Sequence, residues 1–154
     1  MEKESHDFLV KWTIDFIKNK DIIARKIENI ENGKDGFDLY VKYRDREQYF
    51  IIVPVISSLD SILQRINGNF YFSIVTLNSK ENFQNILNGW NKLVQFKFLN
   101  IIFVNPFSEI DKKWIIFPYT HNMISDGSLK NGLKSLFEMV EPIEEQQFLA
   151  RITG

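Results

Sequence analysis

The chain has 154 residues, 44% of them hydrophobic and 25% charged, which is the size of one domain with a packed core and excludes a disordered chain. Nineteen basic against 20 acidic residues leave a formal net charge of −1, so no global field holds a polyanion and nucleic-acid binding needs a local basic patch. The absence of cysteine excludes disulfides, thiolate nucleophiles and Cys-based zinc sites. With a charged N-terminus and no apolar run near the roughly 20 residues that span a bilayer, the expectation is a cytoplasmic protein with no membrane partner.

Phe8, Leu9, Trp12 and Phe16 recur at helical spacing, with Lys11, Asp15 and Lys18 opposite, and predict an amphipathic helix over 8–17. Three extended segments follow, 22–30, 37–43 and 48–56, separated by turn residues at 32–36 and 44–47, and read as an antiparallel meander. The third is apolar on both faces, which places it centrally in a sheet. Pro54 within it marks a bulge or the end of pairing.

Ser57 or Ser58 caps a short helix carrying Leu59, Ile62, Leu63 and Ile66, stopped by Asn67-Gly68. A strand over 70–77 precedes a long helix over 80–97, and strands follow at 99–104 and 114–117. Ser128 starts a last helix with Leu129, Leu133, Leu136, Phe137 and Val140 as its apolar stripe. Residues 143–154 form a flexible tail or a docking arm. No internal repeat or linker interrupts this order, so a single α/β domain over 1–154 is expected, with a mixed β-sheet that opens on an N-terminal antiparallel meander and is flanked by helices.

Gly36-Phe37-Asp38-Leu39 opens the second strand and a buried third strand follows; together with the order helix, meander, helix, strand over 8–77, this resembles the restriction-endonuclease-like core of the PD-(D/E)xK nuclease superfamily. The resemblance implies a metal-binding carboxylate at Asp38. It also implies an acid and a lysine two positions apart on the third strand, which hold Mg²⁺ and activate water. Val53-Pro54-Val55 stands there instead, and the nearest acids, Glu47 and Asp60, flank the strand.

The leading expectation is therefore a degenerate pseudoenzyme without a cofactor that binds nucleic acid or a protein partner. Two rivals stand beside it. One is an active Mg²⁺-dependent nuclease with migrated residues, in which Asp38 and Lys42 share a strand face with Tyr40 and Glu28 supplies the second oxygen ligand. The other is a homodimer or protein-interaction module without a nucleic-acid role. Asp38 and Lys42 also have plain structural readings, as a turn-bonding carboxylate and a solvated lysine.

The two histidines, His6 and His121, show no metal or triad spacing, and His121 reads as a hydrogen-bonded loop residue at a strand end. No glycine-rich phosphate loop is present. Basic residues cluster as Lys18, Lys20, Arg25 and Lys26 and again as Lys42, Arg44 and Arg46, and could join across strands into one patch, although Asp21, Glu28, Asp45 and Glu47 are interleaved. Tyr40, Tyr43 and Tyr49 lie on the meander as core residues that could stack bases if exposed, and Phe107 sits at a candidate loop tip.

Overall fold

The computed structural model describes residues 2–66, 70–124 and 127–154. Helix α1 spans Glu2–Lys20, longer than its apolar pattern, because Glu2 and Glu4 in its first turn and Lys18 and Lys20 in its last complement the helix dipole. Its buried stripe is Ser5, Leu9, Thr13 and Ile17, a strict i, i+4 row. Thr13 satisfies its buried hydroxyl by donating to the Leu9 carbonyl at 2.7 Å.

Six strands form one sheet in chain order: β1 (Ile27–Lys34), β2 (Phe37–Tyr43), β3 (Glu47–Ile52), β4 (Tyr71–Leu77), β5 (Leu99–Val104) and β6 (Lys113–Ile116). The meander β1–β2–β3 is antiparallel, β3, β4 and β5 run parallel, and β6 returns antiparallel to β5, so the sheet is mixed. Helix α2 (Leu59–Leu63) lies in the β3–β4 connection, and α3 (Lys80–Asn88) with α4 (Trp90–Leu93) in the β4–β5 connection. Because β3, β4 and β5 are parallel, their C-terminal ends share one edge of the sheet and their first residues the other.

Alternation along the strands sorts two cores. Leu39, Val41, Phe50, Ile52, Val75, Ile102 and Val104 meet Leu9 and Ile17 of α1. Tyr40, Tyr49, Ile51, Ile74, Ile101, Phe103 and Trp114 face α2, α3, α4 and α6 (Leu129–Met139), which contribute Ile62, Ile86, Leu93, Leu133 and Phe137. Strand β3 is buried on both faces, as its unbroken apolar run predicts.

The structure departs from the sequence reading at particular residues. Strand β1 starts at Ile27 rather than at 22, since the Asp21 carboxylate accepts the Lys26 and Ile27 backbone N–H groups at 2.8 and 3.0 Å and Arg25 takes a φ of 53°. Ile22 and Ile23, the apolar pair that suggested a strand, are exposed. The hairpin between β1 and β2 turns on Asp35 and Gly36, with φ of 54° and 81°, the pairing a two-residue type I′ turn requires. Regular pairing of β3 with β4 ends before Pro54, whose carbonyl accepts from the Leu77 N–H of β4 at 3.3 Å and from the Asn82 amide at 2.9 Å.

The long helix breaks at Gly89, where a Cβ would lie 2.3 Å from a Leu59 methyl, so α2 packs into the gap. An unforeseen helix, α5 (Pro118–Ile124), follows β6 and contains His121, whose Nδ1 accepts the Phe117 N–H at 3.0 Å. The expected tail is α7 (Glu145–Thr153), started by a capping box between Glu144 and Gln147. It packs Phe148 against Phe8 and Phe107, which is half-buried rather than a free loop tip. The stop expected at Asn67-Gly68 lies outside the described residues. No helix among the described residues is long and apolar enough to cross a membrane.

Two buried asparagines hold the C-terminal edge of the sheet. Asn78 donates to the carbonyls of Phe137 and Val140 and accepts from the Trp114 indole. Asn82 accepts the Ile56 N–H and donates to the Pro54 and Leu77 carbonyls. Asn82→Leu leaves the buried Ile56 N–H without its acceptor and takes one donor each from the Pro54 and Leu77 carbonyls, which keep the Leu77 and Ser79 N–H groups, so it is expected to lower stability by about 1–3 kcal/mol in urea unfolding, and an unchanged midpoint would contradict this bonding pattern.

Candidate functional site

Asp38 sits where β2 and β3 part. Their ladder ends at the Leu39–Phe50 pair, and beyond it the Asp38 Oδ2 accepts the Ile52 backbone N–H at 2.7 Å, standing in for the missing strand carbonyl. The other oxygen lies 2.7 Å from Nε2 of His6 in the second turn of α1. His6 also has Asp7 at 3.7 Å from its Nδ1. The carboxylate thus joins α1 to the divergence of two strands, with His6 a partner hidden from sequence by a separation of 32 residues.

Lys42 and Glu28 lie elsewhere. Lys42 is four residues further along β2, about 13 Å at the rise of a strand. Its ammonium is 3.8 Å from Glu28, which sits at the register shift between Ile27 and Asn29. The structure brings Glu28 to Lys42 and sends Asp38 to His6. Nor do Asp38 and Tyr40 point together: past the end of the ladder strict alternation lapses, so Asp38 turns toward α1 while Tyr40 enters the opposite core and donates to Glu47.

Val53 is half-buried, packs against the helix-covered core and donates its N–H to the Val75 carbonyl. Among the described residues no group of three or more His, Asp or Glu side chains could hold a metal ion. The donors around Asp38, one carboxylate already bonded to a histidine and a backbone amide, do not fit a hard divalent cation that wants several oxygens.

A different site opens at the opposite edge, where the parallel strands begin. A groove of about 560 Å³ runs between α1 and the foot of β3–β6. One wall is Trp12 and Phe16 of α1, with rings 5.3 Å apart; the other includes Tyr71 and Phe98, 4.9 Å apart. The β2–β3 turn adds Tyr43, Asp45 and Arg46, and Phe117 and Tyr119 close the far end.

The floor is partly polar for a reason of register. Phe50 pairs with Ser73 and Ser73 with Asn100, so Gln48, Ser73 and Asn100 step across three central strands on the α1 face. The Gln48 amide donates to the Ser73 hydroxyl at 2.6 Å, whereas the Asn100 Oδ1 is buried without a partner. Such an orphan carbonyl costs about 1–3 kcal/mol relative to a bonded one.

Cations sit over the aromatic walls. Lys20 and Lys113 lie 5.9 and 5.2 Å from the Phe16 ring centre, Arg46 lies 4.2 Å from Tyr43 and 5.7 Å from Tyr71, and Lys97 lies 5.6 Å from Phe98. Asp45, the acid lining the groove, is held by Lys26 at 3.8 Å and Arg46 at 3.5 Å. Burial raises the Tyr43 hydroxyl above its ordinary pKa while Arg46 opposes the rise.

The two basic clusters seen in the sequence do meet here through Lys20 and Arg46, and Arg44 ties the segments by donating to the Ala24 carbonyl. Of the three meander tyrosines, Tyr43 lines the groove while Tyr40 and Tyr49 are buried on the other face. Sequence reasoning missed Lys97, Phe98 and Asn100, which looked like a helix end and the start of a strand.

Asp38→Ala leaves the Ile52 N–H without its acceptor and is expected to cost about 1–3 kcal/mol in chemical denaturation. His6→Ala, which removes a half-exposed partner, costs under about 1 kcal/mol; the reverse ranking would contradict the role given to Asp38. The Tyr40 hydroxyl is pushed up to about 12 from 10.0, first by its hydrogen bond to Glu47 and then by burial. Between those values the unfolded chain releases this proton and the folded chain keeps it, so stability holds below about pH 10 and falls toward pH 12. Tyr40→Phe flattens that part of the profile, and an identical alkaline slope in wild type and variant would refute the assignment. No family model, no curated protein and no solved structure matches the chain.

Proposed function

We propose that this chain is a catalytically degenerate member of the restriction-endonuclease-like family that binds nucleic acid without cutting it. The observation that carries the binding half is the groove beside α1, where aromatic walls alternate with Lys20, Arg46, Lys97 and Lys113. Cations track phosphates and aromatic faces stack bases, and the two interleaved make a nucleic-acid surface despite a net charge of −1.

Two features support the degenerate half. The order of a leading helix, an antiparallel meander, a helix and a parallel fourth strand agrees with that family's core. At the edge where its members hold metal, Val53-Pro54-Val55 offers no ligand and Asp38 is engaged by His6 and the Ile52 amide. A carboxylate in those bonds positions a helix.

Fluorescence anisotropy with labelled DNA and RNA at several salt concentrations tests the reading, alongside incubation with Mg²⁺ or Mn²⁺. Binding with a steep salt dependence and no cleavage is expected, and Lys20→Glu combined with Lys97→Glu weakens it by about tenfold or more and flattens the salt slope. Metal-dependent cleavage abolished by Asp38→Ala would show an active nuclease instead. Absence of binding, with a dimer mass by light scattering, would favour a homo-oligomeric module.

A further inference from the structure

We infer that the turn between α1 and β1 is a wedge that parts the last base pair of a duplex, so that the nucleic acid bound is a junction whose single strand lies along the groove. The inference rests on the nucleic-acid reading above and names its ligand class. The turn holds Ile22 and Ile23 in solvent, 65% and 94% exposed. Single exposed apolar side chains are ordinary, and Ile110, 84% exposed, lies between two acids, Glu109 and Asp111. The isoleucine pair instead stands among cations. Lys18 and Lys20 end α1, Arg25 and Lys26 follow the pair in the chain, and Arg44 reaches the turn by donating to the Ala24 carbonyl at 3.1 Å. The acids beside them are engaged, Asp21 by the Lys26 and Ile27 N–H groups and Asp45 by Lys26 and Arg46.

A wedge must keep its shape against stacked bases. Here the Arg25 N–H donates to the Asp21 carbonyl at 2.8 Å and the Arg44 N–H to the Lys26 carbonyl at 2.9 Å, while the Asp21 carboxylate closes the loop from within. The turn also adjoins the groove: a hollow of about 210 Å³ beside Asp21, Ala24 and Lys26 shares Ile17, Lys20, Tyr43 and Arg46 with the groove lining. An apolar side chain pressed between bases unstacks them. Bases inside a duplex have their faces covered by neighbours, so the groove rings, Tyr71 and Phe98 among them, stack only on bases that have left the helix. The strand freed at Ile22 and Ile23 therefore passes Lys20 and Arg46 into the groove, and Lys18, Arg25 and Arg44 are left for the phosphates of the remaining duplex.

The test compares a DNA hairpin with an oligo(dT) overhang, oligo(dT) alone and the blunt hairpin against the intact chain by anisotropy. A fluorescent adenine analogue whose emission rises on unstacking is placed in the base pair next to the overhang. The overhang hairpin is expected to bind at least about fivefold tighter than oligo(dT), with a rise in analogue emission. Ile22→Ser combined with Ile23→Ser, both at exposed positions, abolishes the rise and the preference while leaving oligo(dT) affinity unchanged.

Equal affinity for the overhang hairpin and oligo(dT), silent analogue emission in the wild type, or a preference that survives the double substitution would overturn the wedge and leave the groove reading standing. Tightest binding to the blunt hairpin would overturn the junction. Capture of the wild type but not the variant by phosphatidylserine-containing vesicles, without a preference among the DNAs, would assign the turn to a lipid surface instead. Failure to bind any of the three DNAs would remove the underlying reading as well.

Discussion

One helix cannot cover one face of a six-stranded sheet. Strands about 4.8 Å apart make the sheet roughly 24 Å across, while a helix with its side chains is about 10 Å wide. The face opposite α1 solves this with α2, α3, α4 and α6, which bury a continuous core from Tyr40 to Trp114. On its own face, α1 seals β2 and β3, and α7 fills in beside Leu77 and Phe8 at the C-terminal edge. At the foot of β4–β6 the described residues leave a groove, with Phe117 and Tyr119 at its far end. Tyr71 and Phe117 remain exposed at this groove, and cations lie over aromatic rings along it.

Asp38 depends on the same packing. A strand that leaves its neighbour exposes a backbone N–H, and a buried donor needs an acceptor. The carboxylate supplies one to Ile52, and its second oxygen then fastens the start of α1 through His6. That ties the first turns of α1 to the end of the sheet opposite the groove. Under the proposed reading, the edge where that family holds its metal here anchors the helix that walls the groove. The two ends of β3, about 17 Å apart, carry separate duties.

Periodicity made most of the fold legible: the apolar run of β3, the stripes of α3 and α6, and the paired turns of the meander all stand where their patterns place them. It misled where a local side-chain bond outranked hydrophobicity. Ile22 and Ile23 look like strand residues, but Asp21 caps the backbone ahead of them and leaves both in solvent. Gly89 carries no pattern at all; its meaning is the Leu59 methyl that fits against it. The groove was legible by halves. Lys20 and Arg46 announced a patch, whereas Lys97 and Asn100 join it through the parallel pairing of β4 and β5, a register that no short stretch of sequence encodes.

Amide chemical-shift mapping with single-stranded DNA addresses the central claim most directly, because every groove element carries its own backbone reporters. The account predicts shifts concentrated at Trp12, Phe16, Lys20, Arg46, Gln48, Tyr71, Phe98 and Asn100, with His6, Asp38 and Ile52 unmoved. Shifts centred on His6, Asp38 and Ile52, with the groove amides silent, would contradict it.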